Sequence, residues 1–147
     1  MHPPVIALCT GLLHEVRSPN LIPSAVGQFI APECRLHVNV PNPESFHRVL
    51  AQAIGLIVDT KVMSERNDDL QQNRVHDMAA LRARIAQNGL RAIAEGGYYV
   101  KPFSHSQMME VLSQLGADVM ERLYELGQKP PQSASEIWGE AEVDDGA

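Results

Sequence analysis

Between Pro102 and Gly127 runs an apolar stripe that only a helix explains: Met108, Val111, Leu112, Leu115, Val119, Leu123 and Leu126 recur at spacings of three and four. Ser104 followed by Gln107 offers a capping box at its start, and Pro102 holds Lys101 in extended backbone before it. Gly127 and then Pro130-Pro131 stop it. A helix over 105–127 is therefore predicted. Asn42-Pro43-Glu44 signals a second start, with an N-cap, a proline at the first helical position and an early acid. Phe46, Val49, Leu50, Ala53, Ile54, Ile57, Val58 and Val62 keep the helical period, and Leu56 broadens the face. These two helices, 43–63 and 105–127, are expected at the centre of the core.

The remaining segments add to a helical picture. Val5, Leu8, Cys9, Leu12 and Val16 predict a helix at about 5–17, with a short buried strand over 5–9 as the alternative because Thr10-Gly11 weakens the helix. Pro19, Pro23 and Pro32 break up the next stretch, leaving Ser24 to cap a short helical piece. Arg35 to Val40 alternates polar and apolar residues, the strand period, and the expected partner is Tyr98-Tyr99-Val100 after Gly96-Gly97. Asp68 and Gln71 form another capping box, and the pattern from Leu70 through Met78, Leu81 and Ile85 to Ala92 and Ile93 predicts a helix capped by Gly96-Gly97, with a kink at Asn88-Gly89. Pro130 to Ala147 holds only Ile137, Trp138 and Val143 as sizeable apolar groups, too few to offset the entropy of ordering, and reads as a mobile tail. The expected fold is mainly α, with four to five helices around one core in residues 1–129, room for one short two-stranded β element, and a flexible acidic tail over 130–147.

Composition bounds function. A chain of 147 residues, 44% hydrophobic and 20% charged, is one ordinary globular domain, and a net charge of −6 argues against coating nucleic acid through global charge. No apolar run reaches the ~18 residues a bilayer span needs, and Met1-His2-Pro3-Pro4 lacks a basic leader, so a cytoplasmic protein without a membrane partner is expected. The charge is uneven, with a net of +3 over residues 70–105 and −7 over 106–147.

Several constellations could carry chemistry. Cys9, His14, Cys34 and His37 contain the donors of a Cys2His2 zinc site at spacings unlike the usual patterns, and are read as core cysteines and surface histidines with no metal. His76-Asp77, with His47 upstream and Asp118 downstream, offers the donor set of an all-helical metal-dependent phosphohydrolase. Arg74, Arg82, Arg84 and Arg91 fall at spacings that share helix faces, with Tyr98 and Tyr99 near to stack on bases, which suggests a small subunit touching RNA or DNA. No Gly-rich phosphate loop, nucleophile elbow or His-Glu-x-x-His is present.

The leading reading is non-enzymatic: a helical protein that binds protein chains, as a homo-oligomer or as a subunit or inhibitor in a larger assembly, with no catalytic residue and no cofactor. Its contact surface would draw on Leu56, Met63, Met109 and Met120, and on Ile137 and Trp138 in the acidic tail. The nucleic-acid and phosphohydrolase readings stand behind it.

Overall fold

Ile6–Thr10 forms a strand, β1, and lies parallel to β2, Arg35–Pro41, with Leu8 opposite His37 and Thr10 opposite Asn39. The structure, a computed structural model, describes residues 6–13, 15–16, 25, 34–63, 76–111, 114, 116–128 and 131–144. After β2 come helix α1 (Phe46–Ala53), helix α2 (Met78–Gln87) and strand β3 (Leu90–Tyr98). Helices α3 (His105–Val111) and α4 (Ala117–Gln128) follow, then a 3-10 turn (Pro131–Ser133) and strand β4 (Glu136–Val143). The four strands make one mixed sheet in the order β1-β2-β4-β3, in which β4 runs antiparallel to both its neighbours. The mainly α expectation is overturned: the chain is α/β.

Each departure has a local cause. The expected first helix is β1, because a short apolar run looks the same in either element and five residues suffice for a strand. The expected 43–63 helix ends at Ala53: Ile54 caps it and Gly55, at φ +77°, takes the left-handed turn that terminates helices, its amide bonding the Gln52 carbonyl. Its start also shifts, to Ser45, while Asn42 turns its side-chain oxygen to the Glu44 amide. Asn88-Gly89 stops α2 rather than kinking it, with Gly89 at φ +69°, so Ala92 and Ile93 belong to β3. Gly96 and Gly97 are no helix cap; they lie inside β3 opposite Trp138 and Ile137, and the Trp138 indole fills the space a side chain on Gly96 would need.

The tail is corrected most sharply. Residues 136–143 are an inner strand of the sheet, between β2 and β3, and their sequence alternates: Ile137, Gly139 and Ala141 are buried while Glu136, Trp138, Glu140 and Glu142 face the other way. Gly139 is needed where it stands, since α2 crosses above it with Ile85 Cδ1 at 3.1 Å from the place of a Cβ.

Two sequence signals hold as read. The 35–40 alternation is β2, although its partners are β1 and β4 rather than Tyr98-Tyr99-Val100. Ser104 and Gln107 form the capping box, with Ser104 N donating to Gln107 Oε1 at 3.1 Å and Gln107 N to Ser104 Oγ at 3.4 Å. The 105–127 stretch is nonetheless two helices, α3 and α4, the second opening on Gly116, whose carbonyl accepts the Val119 and Met120 amides. The boxes and caps expected at Asp68, Gln71 and Ser24 lie outside the described residues.

The core gathers Cys9, Leu13, Leu36, Val38, Val40, Ile137 and Ala141 from the sheet side with Leu81 and Ile85 from α2 and Leu90 at the start of β3. Neither α1 nor α4 contributes to it, so the helices expected at the centre lie at the periphery. No helix among the described residues is long and apolar enough to cross a membrane.

Candidate functional site at the carboxyl ends of the strands

Because β4 is antiparallel to β2 and to β3, strands β1, β2 and β3 all point the same way, and their carboxyl ends meet at one edge of the sheet. Pro41 stands in register with Glu136, and Glu136 with Tyr98. In open α/β sheets this edge is where ligands bind, since the loops leaving the strands diverge there and open a crevice.

β1 gives way to Gly11 at φ +64°, after which Leu13 turns back into the core. β2 gives way to Asn42, a buried strut: its Nδ2 donates to the carbonyls of Gln132 at 2.7 Å and Ala134 at 2.8 Å, and its own amide bonds the Ser135 carbonyl. That weld fixes the amino end of α1. Ser45, fully buried, sits at the N-cap position, yet its hydroxyl caps nothing and has no partner among the described residues. Two residues on, His47 presents a buried Nδ1 that also lacks one. Burial lowers the His47 pKa to about 4, and the charges of Lys101 and Arg48 push the same way, so the ring is neutral at pH 7. Arg48 is itself anchored, donating to the carbonyls of Thr60 and Val62 and holding the 59–62 loop against α1.

β3 gives way to Tyr99 at φ +54°, a backbone state that costs a side-chain-bearing residue about 1–2 kcal/mol. The surroundings impose it. The Tyr99 carbonyl accepts the Ser135 amide at 2.7 Å, the Val100 amide reaches Leu123 O at 2.9 Å, and Gly127 of α4 presses on the Tyr99 backbone. This turn carries Lys101 toward His47. Buried polar groups that make no bond among the described residues, beside a strained turn, make this end of the sheet the candidate site for a polar ligand.

The sequence-derived candidates fall elsewhere. Asp77 is the N-cap of α2, accepting from Ala80 N at 2.8 Å and pairing with Lys61 at 3.0 Å; the backbone bond and then Lys61 hold its carboxyl below the usual range. Asp118 lies in the first turn of α4 and His76 is buried ahead of α2; no group of three or more metal-binding side chains forms among the described residues. Cys9 points into the core, where burial raises its pKa, and Cys34 is buried before β2. His37 faces away from that core: Tyr98 Oη is 2.9 Å from its Nε2, Glu140 is 3.5 Å from its Nδ1, and its ring stacks with Trp138. His14 and Arg74 lie outside the described residues. Arg82 pairs with Glu95, Arg91 with Glu142, and Arg84 is half-buried in the last turn of α2. Of the partner surface, Leu56 and Met109 are exposed, Met63 and Met120 half-buried, Ile137 in the core and Trp138 on the opposite sheet face. Ser45 and His47 are two positions apart, but no sequence pattern joins Lys101 to them; only the parallel strand directions, invisible in a pattern of apolar residues, bring it to the same end.

The architecture has known counterparts. An S-adenosylmethionine dependent methyltransferase from Mesorhizobium loti superposes with a TM-score of 0.56 at 12% identity, over 97% of this chain and 65% of that one. Another from Archaeoglobus fulgidus gives 0.50 at 11% identity, over 93% and 58%. The shared feature is the fold: a Rossmann-like α/β sheet. This chain spans about three fifths of the length of those it matches. No protein-family model matches the sequence, and no curated protein does. The likeness, with the mixed sheet, overturns the non-enzymatic all-α assembly subunit, the arginine-borne nucleic-acid reading and the His-Asp phosphohydrolase.

S-adenosylmethionine carries a cationic sulfonium, an ammonium and a carboxylate beside a ribose and an adenine, a net positive charge. Ser45 Oγ and His47 Nδ1 suit hydroxyl and amine groups, but the charges felt at His47 are those of Lys101 and Arg48, both positive. Glu15 and Glu44, which follow β1 and β2, are exposed, and Glu136 is engaged by Asn39. Beside these two positive charges the sulfonium and the ammonium of the cofactor do not fit this donor set.

Proposed function

We propose that this chain forms the acceptor-binding side of a methyltransferase-type enzyme, with the acceptor's N–H or O–H directed by the neutral, half-buried His47 ring at the carboxyl end of the sheet and Ser45 buried two residues before it. The observation that carries this reading is the pair of buried groups, Ser45 Oγ and His47 Nδ1, which have no partner among the described residues. The fold shared with two solved methyltransferases supports it. A neutral imidazole nitrogen accepts a hydrogen bond from a nucleophile and fixes its lone pair in direction without adding charge. With a pKa of about 4 the ring is a weak base, so its part is to orient the acceptor rather than to carry its proton away.

Protein isolated from its native cells is incubated with methyl-tritiated S-adenosylmethionine and an extract of those cells. Transfer of label is expected, reduced at least ~10-fold by His47→Ala, on the scale that misplacing a reacting group costs, and partly restored by His47→Gln, which keeps a hydrogen-bonding group there. Absence of transfer, or transfer unchanged in His47→Ala, contradicts the reading.

A further inference from the structure

The sheet face opposite α2 carries a cluster of rings and carboxylates that the candidate site does not use. Strand register assembles it: Glu140 of β4 stands opposite His37 of β2, Trp138 opposite Asn39, and Glu136 opposite Tyr98 of β3. Burial, then Tyr124 of α4 and the charges of Glu136 and Glu140, hold the Tyr98 phenol above its ordinary pKa. It therefore keeps its proton and donates to His37 Nε2 at 2.9 Å, which leaves the ring's Nδ1 to face Glu140 at 3.5 Å. The His37 ring stacks on Trp138 with centroids 5.5 Å apart, and Tyr98 tilts against the same indole at 6.1 Å.

The cluster is rich in acceptors and poor in donors. Glu95 and Glu142 each pair with an arginine, but among the described residues no lysine or arginine pairs with Glu136 or Glu140, whose contacts are the Asn39 amide and the His37 ring. Asn39 Nδ2 is spent on Glu136, and Asn39 Oδ1 has no donor among the described residues. The spare donor, Trp138 Nε1, is buried against Gly96. Glu136 is exposed, and Tyr98, Trp138 and Glu140 are half-buried, so both carboxylates and part of each ring can be reached from solvent. Rings attract a cation through their quadrupole and carboxylates through charge-assisted hydrogen bonds, and the two together fit a cation that has both an apolar skin and an N–H. A bare metal ion would make no use of the rings, and no group of three metal-binding side chains forms among the described residues.

We propose that this face of the sheet binds an organic ammonium ion, its N–H directed at Glu136 or Glu140 and its alkyl groups against Trp138 and Tyr98. The site is separate from the carboxyl ends of the strands: it uses none of Ser45, His47 and Lys101 and does not rest on the methyltransferase-type reading.

Trimethylammonium chloride, titrated at neutral pH and fixed ionic strength into the 147-residue chain, tests it, with tert-butanol as a probe of nearly the same shape without charge. The indole N–H of Trp138, the single tryptophan, and the Tyr98 ring are followed by NMR. Saturating shifts of both are expected with trimethylammonium, at an affinity at least ~10-fold above that for tert-butanol. Glu140→Gln keeps the shape of the side chain and removes its charge, and is expected to weaken binding ~10-fold; Glu136→Gln, at an exposed position where folding is not at stake, is expected to weaken it at least ~3-fold. Absence of a saturating shift overturns the proposal. So does equal binding of tert-butanol, which would make the face merely apolar, and so does binding unchanged in both glutamine variants.

Discussion

Asn42 and Ser45 stand three residues apart at the end of β2 and serve opposite purposes. Asn42 commits its whole amide to architecture, with two carbonyls on one side and the Glu44 amide on the other. Asn42→Ala leaves buried carbonyls unsatisfied and is expected to cost about 3 kcal/mol in urea unfolding. Ser45→Ala removes a buried hydroxyl that bonds nothing among the described residues, so the same measurement should show no loss, or a small gain. A loss of more than about 1 kcal/mol on Ser45→Ala would mean that the hydroxyl serves the fold. From sequence, Asn42 reads as a helix cap, because Asn-Pro-Glu is a good helix start; the competing carbonyls come from residues 132 and 134, ninety positions away, which no local pattern reveals.

At the level of elements, some signals carried by near neighbours are legible in the sequence, while the left-handed stops at Gly55 and Gly89 are hidden by the apolar period that runs through them. The β2 alternation and the Ser104–Gln107 box are of the legible kind, since one needs a period of two and the other a spacing of three. Choices decided by contact across the sheet are not. Ala92 and Ile93 fit a helical period by coincidence and are strand because Gly89 ends α2 and β4 lies alongside. Ile137, Gly139 and Ala141 alternate cleanly, yet small residues in an acidic stretch carry little hydrophobic signal; Gly139 is small because Leu81 and Ile85 press on it from α2. The α4–β3 contact gives a test. A Cβ on Gly127 would stand 2.1 Å from Tyr99 N and 2.7 Å from its Cα, backbone atoms that cannot swing aside. Gly127→Ala is expected to destabilise by about 3 kcal/mol or more, read as a lowered thermal midpoint, and to loosen the turn that carries Lys101. An unchanged midpoint would show that α4 does not pack there.

For the molecule as a whole, the stretch from Glu136 to Val143, which in sequence resembles a mobile tail, is what sets the strand directions: inserted antiparallel between β2 and β3, it turns three strand ends toward one edge. The candidate site is therefore illegible in sequence for the same reason as the fold, since Lys101 comes near His47, itself two residues from Ser45, only through that strand order. His47 also couples the site to global stability. Its pKa falls from the ordinary 6.5 to about 4 on folding, so between those values the unfolded chain holds the extra proton. Its contribution is fully present above about pH 6.5 and is lost as pH falls toward 4, on the order of 3 kcal/mol in all, and His47→Ala should flatten that slope. The most direct test of a neutral imidazole poised at the sheet's end is the titration of the His47 ring protons by NMR in the folded protein. A midpoint near 4 is predicted; a midpoint at or above the ordinary 6.5 would place a charged, solvated histidine there and contradict the site.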